Sequence, residues 1–368
     1  MINAITMPKW GLTMTEGKVV QWLKQPGQAF TQGEELLEIE TSKITNVVEA
    51  DAAGTLSRIV APEGTTLPIG ALLAVIAPPE TPTPDIDAFV ARFEVVEPTG
   101  EAGEEAATLA PSELQALGRT LRCLEMGSGD GVPVVLLHGF GGDLNTWMFN
   151  QPALCDGRRT LALELPGHGL SSKDVGAGDI GFFTEVIEAA LGAQRVHVVG
   201  HSMGGALAIS LASRRPACVA SVTLLAPAGL GLEINGAFID AFVRASRRRD
   251  AIEALQMLVH DPKLISRAMV EEFLRYKRID GVVPALEAMA QAWFPQGRQA
   301  VDLRAELRAL AMPVQVIWGR DDRIIPMAHA GAVEPPAQVR VLESAGHLPH
   351  MEEASAVNRL IRGMISSG

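Results

Sequence analysis

Five positions near the start of the chain recur at one fixed interval. Gly17, Gly27, Gly33, Leu36 and Ile39 return as Gly54, Gly64, Gly70, Leu73 and Ile76, each 37 residues on. The surrounding segments match in pattern, EGKVVQW with AGTLSRI and QGEELLEIE with IGALLAVIA. Such self-similarity marks two copies of one supersecondary unit. Short aliphatic and β-branched runs punctuated by Gly and Pro read as strands joined by turns. Two four-strand halves related by a pseudo-dyad then close into a small flattened β-barrel over residues 1–78.

The remaining length of this 368-residue chain calls for a second unit, and the charge shows where the division falls. Residues 1–79 carry five basic and eight acidic groups, residues 80–115 one arginine and nine acids, and the rest 25 basic against 26 acidic. Two nearly neutral bodies are separated by an acidic strip. A net charge of −12 argues against a non-specific nucleic-acid binder and against a partner of anionic membrane. Cys123, Cys155 and Cys218 form no CxxC pair and leave an odd count, which suits a reducing cytoplasm. The N-terminus shows no basic-then-apolar secretion pattern. The most apolar stretch, Pro216 to Leu232, is broken by Ser, Thr, Pro and Gly, so it reads as a buried strand with its loops and not as a membrane span.

The two halves of the repeat meet at Glu40-Thr41-Ser42-Lys43-Ile44, between a strand at 36–40 and one at 44–50, so Lys43 is expected at an exposed hairpin tip. MPKWGLTMTEG, Trp22 with its PGQ turn, and EIETSKITNVVEA together resemble the lipoyl domains of 2-oxoacid and acetoin dehydrogenase complexes over residues 2–78. The biotinyl domain shares that fold but sets its lysine between two methionines; Ser42-Lys43-Ile44 after Glu40 fits lipoylation. The resemblance therefore implies lipoate on Lys43, whereas taken alone the residue is an ordinary solvated lysine. An arm that must visit several active sites belongs on a rigid tip away from walls.

From about Gly118 apolar runs alternate with amphipathic segments, as in an α/β sheet. The runs VVLL and VHVVG are continuous, as expected of strands covered on both faces. Gly200-His201-Ser202-Met203-Gly204 is G-x-S-x-G directly after such a strand and before the helical stretch GALAISLASR. In that context small residues allow a strained turn that exposes the Ser202 hydroxyl. A carboxylate and an imidazole are needed to activate it. Asp322 ends a G-x-x-D run after the strand VQVIW, with Asp321 as its competitor and a turn or capping role as the plainer reading of that neighbour. Gly346-His347 follows the strand VRVLES and offers the general base. His350 is read as a surface or supporting group.

The order Ser202, Asp322, His347, with HGFGG at 138–142 and LPGHGLSS at 165–172, resembles the α/β-hydrolase superfamily over residues 118–366. That likeness implies an oxyanion hole from the backbone N–H groups of Phe140 and Met203. His138 and His168 read as hydrogen-bonded scaffold of those motifs. No His/Cys/Asp cluster has metal spacing, so no metal site is expected. About 85 residues of helical pattern between the strands at 222–226 and 314–318 read as a cap at about 228–312, within a domain spanning 116–368. Arg247-Arg248-Arg249 reads as a solvated helix face, with contact to the phosphates of coenzyme A as the alternative.

Residues 79–115 are expected to form an acidic Pro/Glu/Ala-rich linker spanning about 30–35 Å if flexible. Within it Ile86, Phe89, Val90 and Phe93 repeat at helical spacing. They suit two amphipathic turns that either dock another subunit or pack on the chain's own catalytic domain. Nothing resembles a small basic subunit-binding domain.

The combination resembles the dihydrolipoamide acetyltransferase subunits of bacterial acetoin dehydrogenase complexes. The more common lipoyl acyltransferases end in a domain with a His-x-x-x-Asp-Gly motif, which is absent here. The resemblance implies a cytoplasmic enzyme moving acetyl from lipoyl-Lys43 to coenzyme A. It implies partners in thiamine diphosphate-dependent acetoin dehydrogenase subunits and dihydrolipoamide dehydrogenase, and a homo-oligomeric core. A lipoyl-tethered hydrolase (thioesterase, esterase or C–C hydrolase) and a non-catalytic carrier with a scaffold hydrolase fold are the alternatives.

Overall fold

The computed structural model describes residues 2–10, 14–41, 45–50, 52–93 and 110–367. Ser42, Lys43 and Ile44, where lipoate attachment is expected, and residues 94–109 of the expected linker lie outside the described residues. The chain divides into two compact units, one carrying the first eight strands and the other the strands from the ninth onward.

The first unit contains β1 (Asn3–Thr6), β2 (Glu16–Trp22), β3 (Ala29–Phe30), β4 (Glu35–Glu40), β5 (Thr45–Glu49), β6 (Gly54–Ile59), β7 (Thr66–Pro68) and β8 (Leu72–Ile76). They form two four-stranded sheets, β1-β8-β6-β3 and β5-β4-β2-β7. The repeat explains the match, because β2, β3 and β4 correspond to β6, β7 and β8, and each sheet draws strands from both halves. The repeated turn glycines share a left-handed backbone, with φ of 91° and 83° at Gly27 and Gly64, and 81° and 79° at Gly33 and Gly70. That region is open to glycine without the Cβ penalty other residues meet. Met7, Val19, Leu37, Ile39, Leu56 and Leu73 fill the space between the sheets. Glu40 pairs with Thr45 across β4 and β5, so residues 41–44 join two adjacent antiparallel strands.

The amphipathic island forms α1 (Thr83–Arg92), whose apolar face packs on the barrel of its own unit. Ile86, Phe89, Val90 and Phe93 cover Ile2, Ala4, Leu72 and Val75 on the outer face of β1 and β8. Arg58 pairs with Asp87 beside them. The cause lies in β8, whose continuous run LLAVI is apolar on both faces and needs a cover on each. Ordered structure of the first unit thus continues past residue 78.

The second unit begins within the stretch expected as linker, with β9 (Ser112–Ala116). It continues through β10 (Arg119–Met126), β11 (Gly131–Leu137), β12 (Arg158–Leu163), β13 (Val196–His201), β14 (Val219–Leu225), β15 (Val314–Gly319) and β16 (Gln338–Leu342). The sheet order is β16-β15-β14-β13-β11-β12-β10-β9. β10 runs antiparallel to β9 and β12, and the other pairs are parallel. Every residue of β13, β14 and β15 is buried, as two-sided coverage requires. α2 (Ile180–Leu191) packs against α3 (Met203–Arg214), which lies on β13 and β14. The interval between β14 and β15 holds α4 (Gly236–Arg244), α5 (Arg248–Gln256), α6 (Arg267–Lys277), α7 (Val282–Trp293) and α8 (Arg304–Ala309). α9 (Ala354–Ser367) closes the chain against β14 and β15.

Candidate active site

β13 delivers its last residue, His201, into a turn that no ordinary backbone makes. Ser202 stands at φ 53° and ψ −116°, and α3 starts at the next residue. Neighbours hold this strained conformation. The Ser202 amide donates to Leu225 O at 2.9 Å, and Ser202 O accepts the amides of Gly205, Ala206 and Ala228. The flanking glycines are steric necessities, since a Cβ at Gly200 would lie 2.2 Å from Gly204 O and one at Gly204 2.1 Å from Leu137 O.

The structure brings Ser202, His347 and Asp322 together from the ends of three strands. Ser202 Oγ lies 3.0 Å from His347 Nε2, and His347 Nδ1 lies 2.8 Å from Asp322 Oδ2. The side chains of His347 and Asp322 are 4% and 0% exposed. Asp322 Oδ1 accepts the amides of Ile324 and Ile325 at 2.8 and 3.0 Å, and Oδ2 also accepts Trp318 Nε1–H at 3.0 Å. A carboxylate seated this way fixes its bond to Nδ1–H, which leaves Nε2 to accept the serine proton. Asp321, the competing carboxylate, turns away to His260 Nδ1 at 2.5 Å. Trp318, four residues before Asp322, was not picked out from sequence; its place in W-G-x-x-D is the signal that marks it.

The segment 138–142 borders the serine, since a Cβ at Gly139 would lie 3.0 Å from Ser202 Cβ. His138 and His168 shape it. His138 Nδ1 donates to Gly139 O at 2.8 Å while Nε2 accepts the Leu165 amide at 3.0 Å. His168 Nδ1 donates to Pro166 O at 3.0 Å, and its Nε2 accepts the Gly141 amide, also at 3.0 Å. Met203 opens α3, so its N–H belongs to the first turn, where amides have no partner within the helix. The Phe140 ring meets Phe242 of α4 and Phe294 after α7 at centroid distances of 5.9 and 5.8 Å. The cap thereby lays aromatic surface on the loop that would bind an oxyanion.

His350 does not lie at the surface, which leaves its other reading, a supporting group behind the site. It is fully buried, 4.5 Å from the His201 ring and 5.0 Å from Trp147, and neither ring nitrogen meets a protein partner. His201 stacks in turn on His347 at 4.8 Å and donates from Nε2 to His347 O at 2.8 Å. Burial pushes His138 down to about 4 and His350 down to about 3. Burial likewise holds His168 and His201 well below the ordinary imidazole value, helped by the neighbouring imidazoles. These rings are neutral in the fold and titrate near 6.5 once unfolded. Below pH 6.5 the unfolded chain binds protons that the folded chain refuses, so stability falls as pH drops from 6.5 toward 4. The slope is about 1.4 kcal/mol per pH unit for each histidine. Thermal midpoints should be level above pH 7 and fall steeply between pH 6.5 and 4; a midpoint unchanged at pH 4.5 would contradict this.

Arg247, Arg248 and Arg249 are exposed at the start of α5, and Arg249 pairs with Glu253 at 2.9 Å, in keeping with a solvated helix face. Among the described residues no helix is long and apolar enough to cross a membrane.

A family model described as "alpha/beta hydrolase fold" matches residues 132–354, and one described as "Biotin-requiring enzyme" matches residues 3–76. Among solved structures, 2-hydroxy-6-oxo-6-phenylhexa-2,4-dienoate hydrolase from a Rhodococcus is 24% identical with a TM-score of 0.63, covering 70% of this chain and 98% of that one. This likeness concerns the fold of the second unit. The chain is 45% identical over 361 residues to the "Dihydrolipoyllysine-residue acetyltransferase component of acetoin cleaving system" of Pseudomonas putida, 97% of each chain being covered. It is 43% identical to the protein of the same name from Cupriavidus necator, over 98% of this chain and 96% of that one. With both units matched in one relative, the chain belongs to the family of dihydrolipoyllysine-residue acetyltransferase components of acetoin cleaving systems.

Proposed function

We propose that this chain moves an acetyl group from a lipoyl thioester to coenzyme A through an acetyl-serine at Ser202. The observation that supports the reading best is the chain of bonds Ser202–His347–Asp322, at 3.0 and 2.8 Å, in a protein that also carries a lipoyl-type barrel. Lys43 would hold the lipoate, at the junction of β4 and β5; when bound, the group supplies a thiol on a long arm. Ser202 Oγ attacks the carbonyl of the acetyl thioester as His347 Nε2 takes the hydroxyl proton. The N–H groups of Phe140 and Met203 receive the oxyanion. The carbon–sulfur bond breaks, and His347 returns the proton to the departing sulfur. Coenzyme A then gives its thiol proton to His347, its sulfur attacks the acetyl-serine, and the carbon–oxygen bond breaks as Ser202 is reprotonated. One thioester replaces another, so water must be kept from the acyl-enzyme, a task that suits the aromatic cover of Phe140, Phe242 and Phe294.

The partners on this reading are thiamine diphosphate-dependent acetoin dehydrogenase subunits and dihydrolipoamide dehydrogenase, around a homo-oligomeric core in the cytoplasm. A second reading, a tethered hydrolase, draws on relatives such as the 2-hydroxymuconate semialdehyde hydrolase of Pseudomonas putida, 29% identical over 280 residues. One assay separates the two. Given acetyl-dihydrolipoamide, the transferase yields acetyl-CoA only when coenzyme A is added and little acetate without it. Acetate as the main product in both conditions would sink the transferase.

A further inference from the structure

A single carboxylate joins the cap to the loop that carries His347. Glu352 Oε1 accepts the amides of Gly346 and Leu348 at 2.9 and 3.2 Å, the two residues flanking the imidazole. Its Oε2 accepts the His260 amide at 2.6 Å, from the segment that leaves α5 of the cap. The same segment offers Leu258 O to the amide of His347 itself, at 2.8 Å. The acid loop is fastened there too: Arg323 donates to Gln256 O and Val259 O, and Asp321 holds the His260 ring. The approach is close enough that a Cβ at Gly346 would lie 2.8 Å from the His260 nitrogen.

We propose that Glu352 is a positioning residue, tying cap segment 256–260 to the His347 loop so that the cap sets the seat of the imidazole. This rests on the reading of Ser202 and His347 as the working pair. Two oxygens are needed because donors arrive from two sides. A glutamine has the volume but only one acceptor, so its NH2 must face an N–H either at His260 or at Gly346 and Leu348. Glu352→Gln therefore cuts the tie without opening a cavity. A misplacement of about 1 Å at the reacting atoms can cost about a hundredfold in rate.

The test uses the full chain and p-nitrophenyl acetate as the acylating probe, with amide hydrogen exchange as a second readout. Glu352→Gln is expected to slow the acylation burst about tenfold to a hundredfold. The saturation constant should stay within about twofold, since the ester's own binding groups are intact. Exchange in residues 256–260 and 345–349 should rise together, and Glu352→Asp, which keeps both oxygens, should recover part of the rate. A folded Glu352→Gln protein that acylates at the native rate overturns the proposal, as does faster exchange in only one of the two segments. A native burst that survives Ser202→Ala would instead overturn the reading of the working pair, and the proposal with it.

Discussion

Replacing Ser202 by alanine is expected to lower acetyl transfer by about 10⁴-fold or more while leaving the fold and substrate affinities nearly unchanged. The substitution removes one oxygen and its 3.0 Å bond to His347. The backbone bonds to Leu225, Gly205, Ala206 and Ala228 remain, and alanine meets the same left-handed strain as serine. The oxyanion donors also remain, so the residual rate measures what they achieve alone. Steady-state kinetics with acetyl-dihydrolipoamide and coenzyme A give the loss, and a thermal melt shows that the fold is intact. Full transfer by the alanine variant would sink the catalytic role assigned to Ser202.

Asp322→Asn is expected to cost about 10⁴-fold in kcat, against about threefold or less for Asp321→Asn. The asymmetry follows from who faces each oxygen. An asparagine oxygen at Oδ1 still satisfies Ile324 and Ile325, but its NH2 then meets Trp318 Nε1–H and the Nδ1–H of His347. Relief comes only if His347 shifts its proton to Nε2, where it no longer accepts from serine. Asp321 faces an exposed His260, and losing that pair removes one of several ties on segment 256–260, while Arg323 and Glu352 still hold the segment and the bonds of His347 to Asp322 and Ser202 remain. Parallel kcat measurements at several pH values decide between the two carboxylates, and a large loss at Asp321 with a small one at Asp322 would reverse the assignment.

What the sequence revealed depended on whether side chains carried the information. The 37-residue repeat is a pattern of glycines and aliphatics, and it maps onto the paired sheets strand by strand. The grouping of Ser202, Asp322 and His347 was readable because each follows a recognisable strand. The destination of α1 was not, since an amphipathic stripe declares that a face will be buried without saying against what. The unbroken run LLAVI at Leu72–Ile76 held the missing half of that information. β9 escaped because its alternation is only two apolar residues long, Leu114 and Ala116, inside a stretch whose composition reads as linker. The bonds from Leu258 and Glu352 to the His347 loop engage main-chain amides, which leave no mark on residue identity.

The covering of β1 and β8 by α1 has a consequence for traffic. The apolar exterior of β1 and β8 is spent on a segment of its own chain and is not offered to a visitor. The other sheet, β5-β4-β2-β7, contains both strands that flank Lys43 and shows Glu16, Lys18, Gln21, Glu38 and Glu40 along β2 and β4. Surfaces of that kind are met through water and screened charge, and they let go readily. A shuttle profits from brief stops. On the proposed function, enzymes that read the face of β4 and β5 would take turns at it, and the order of the reaction would be kept by occupancy.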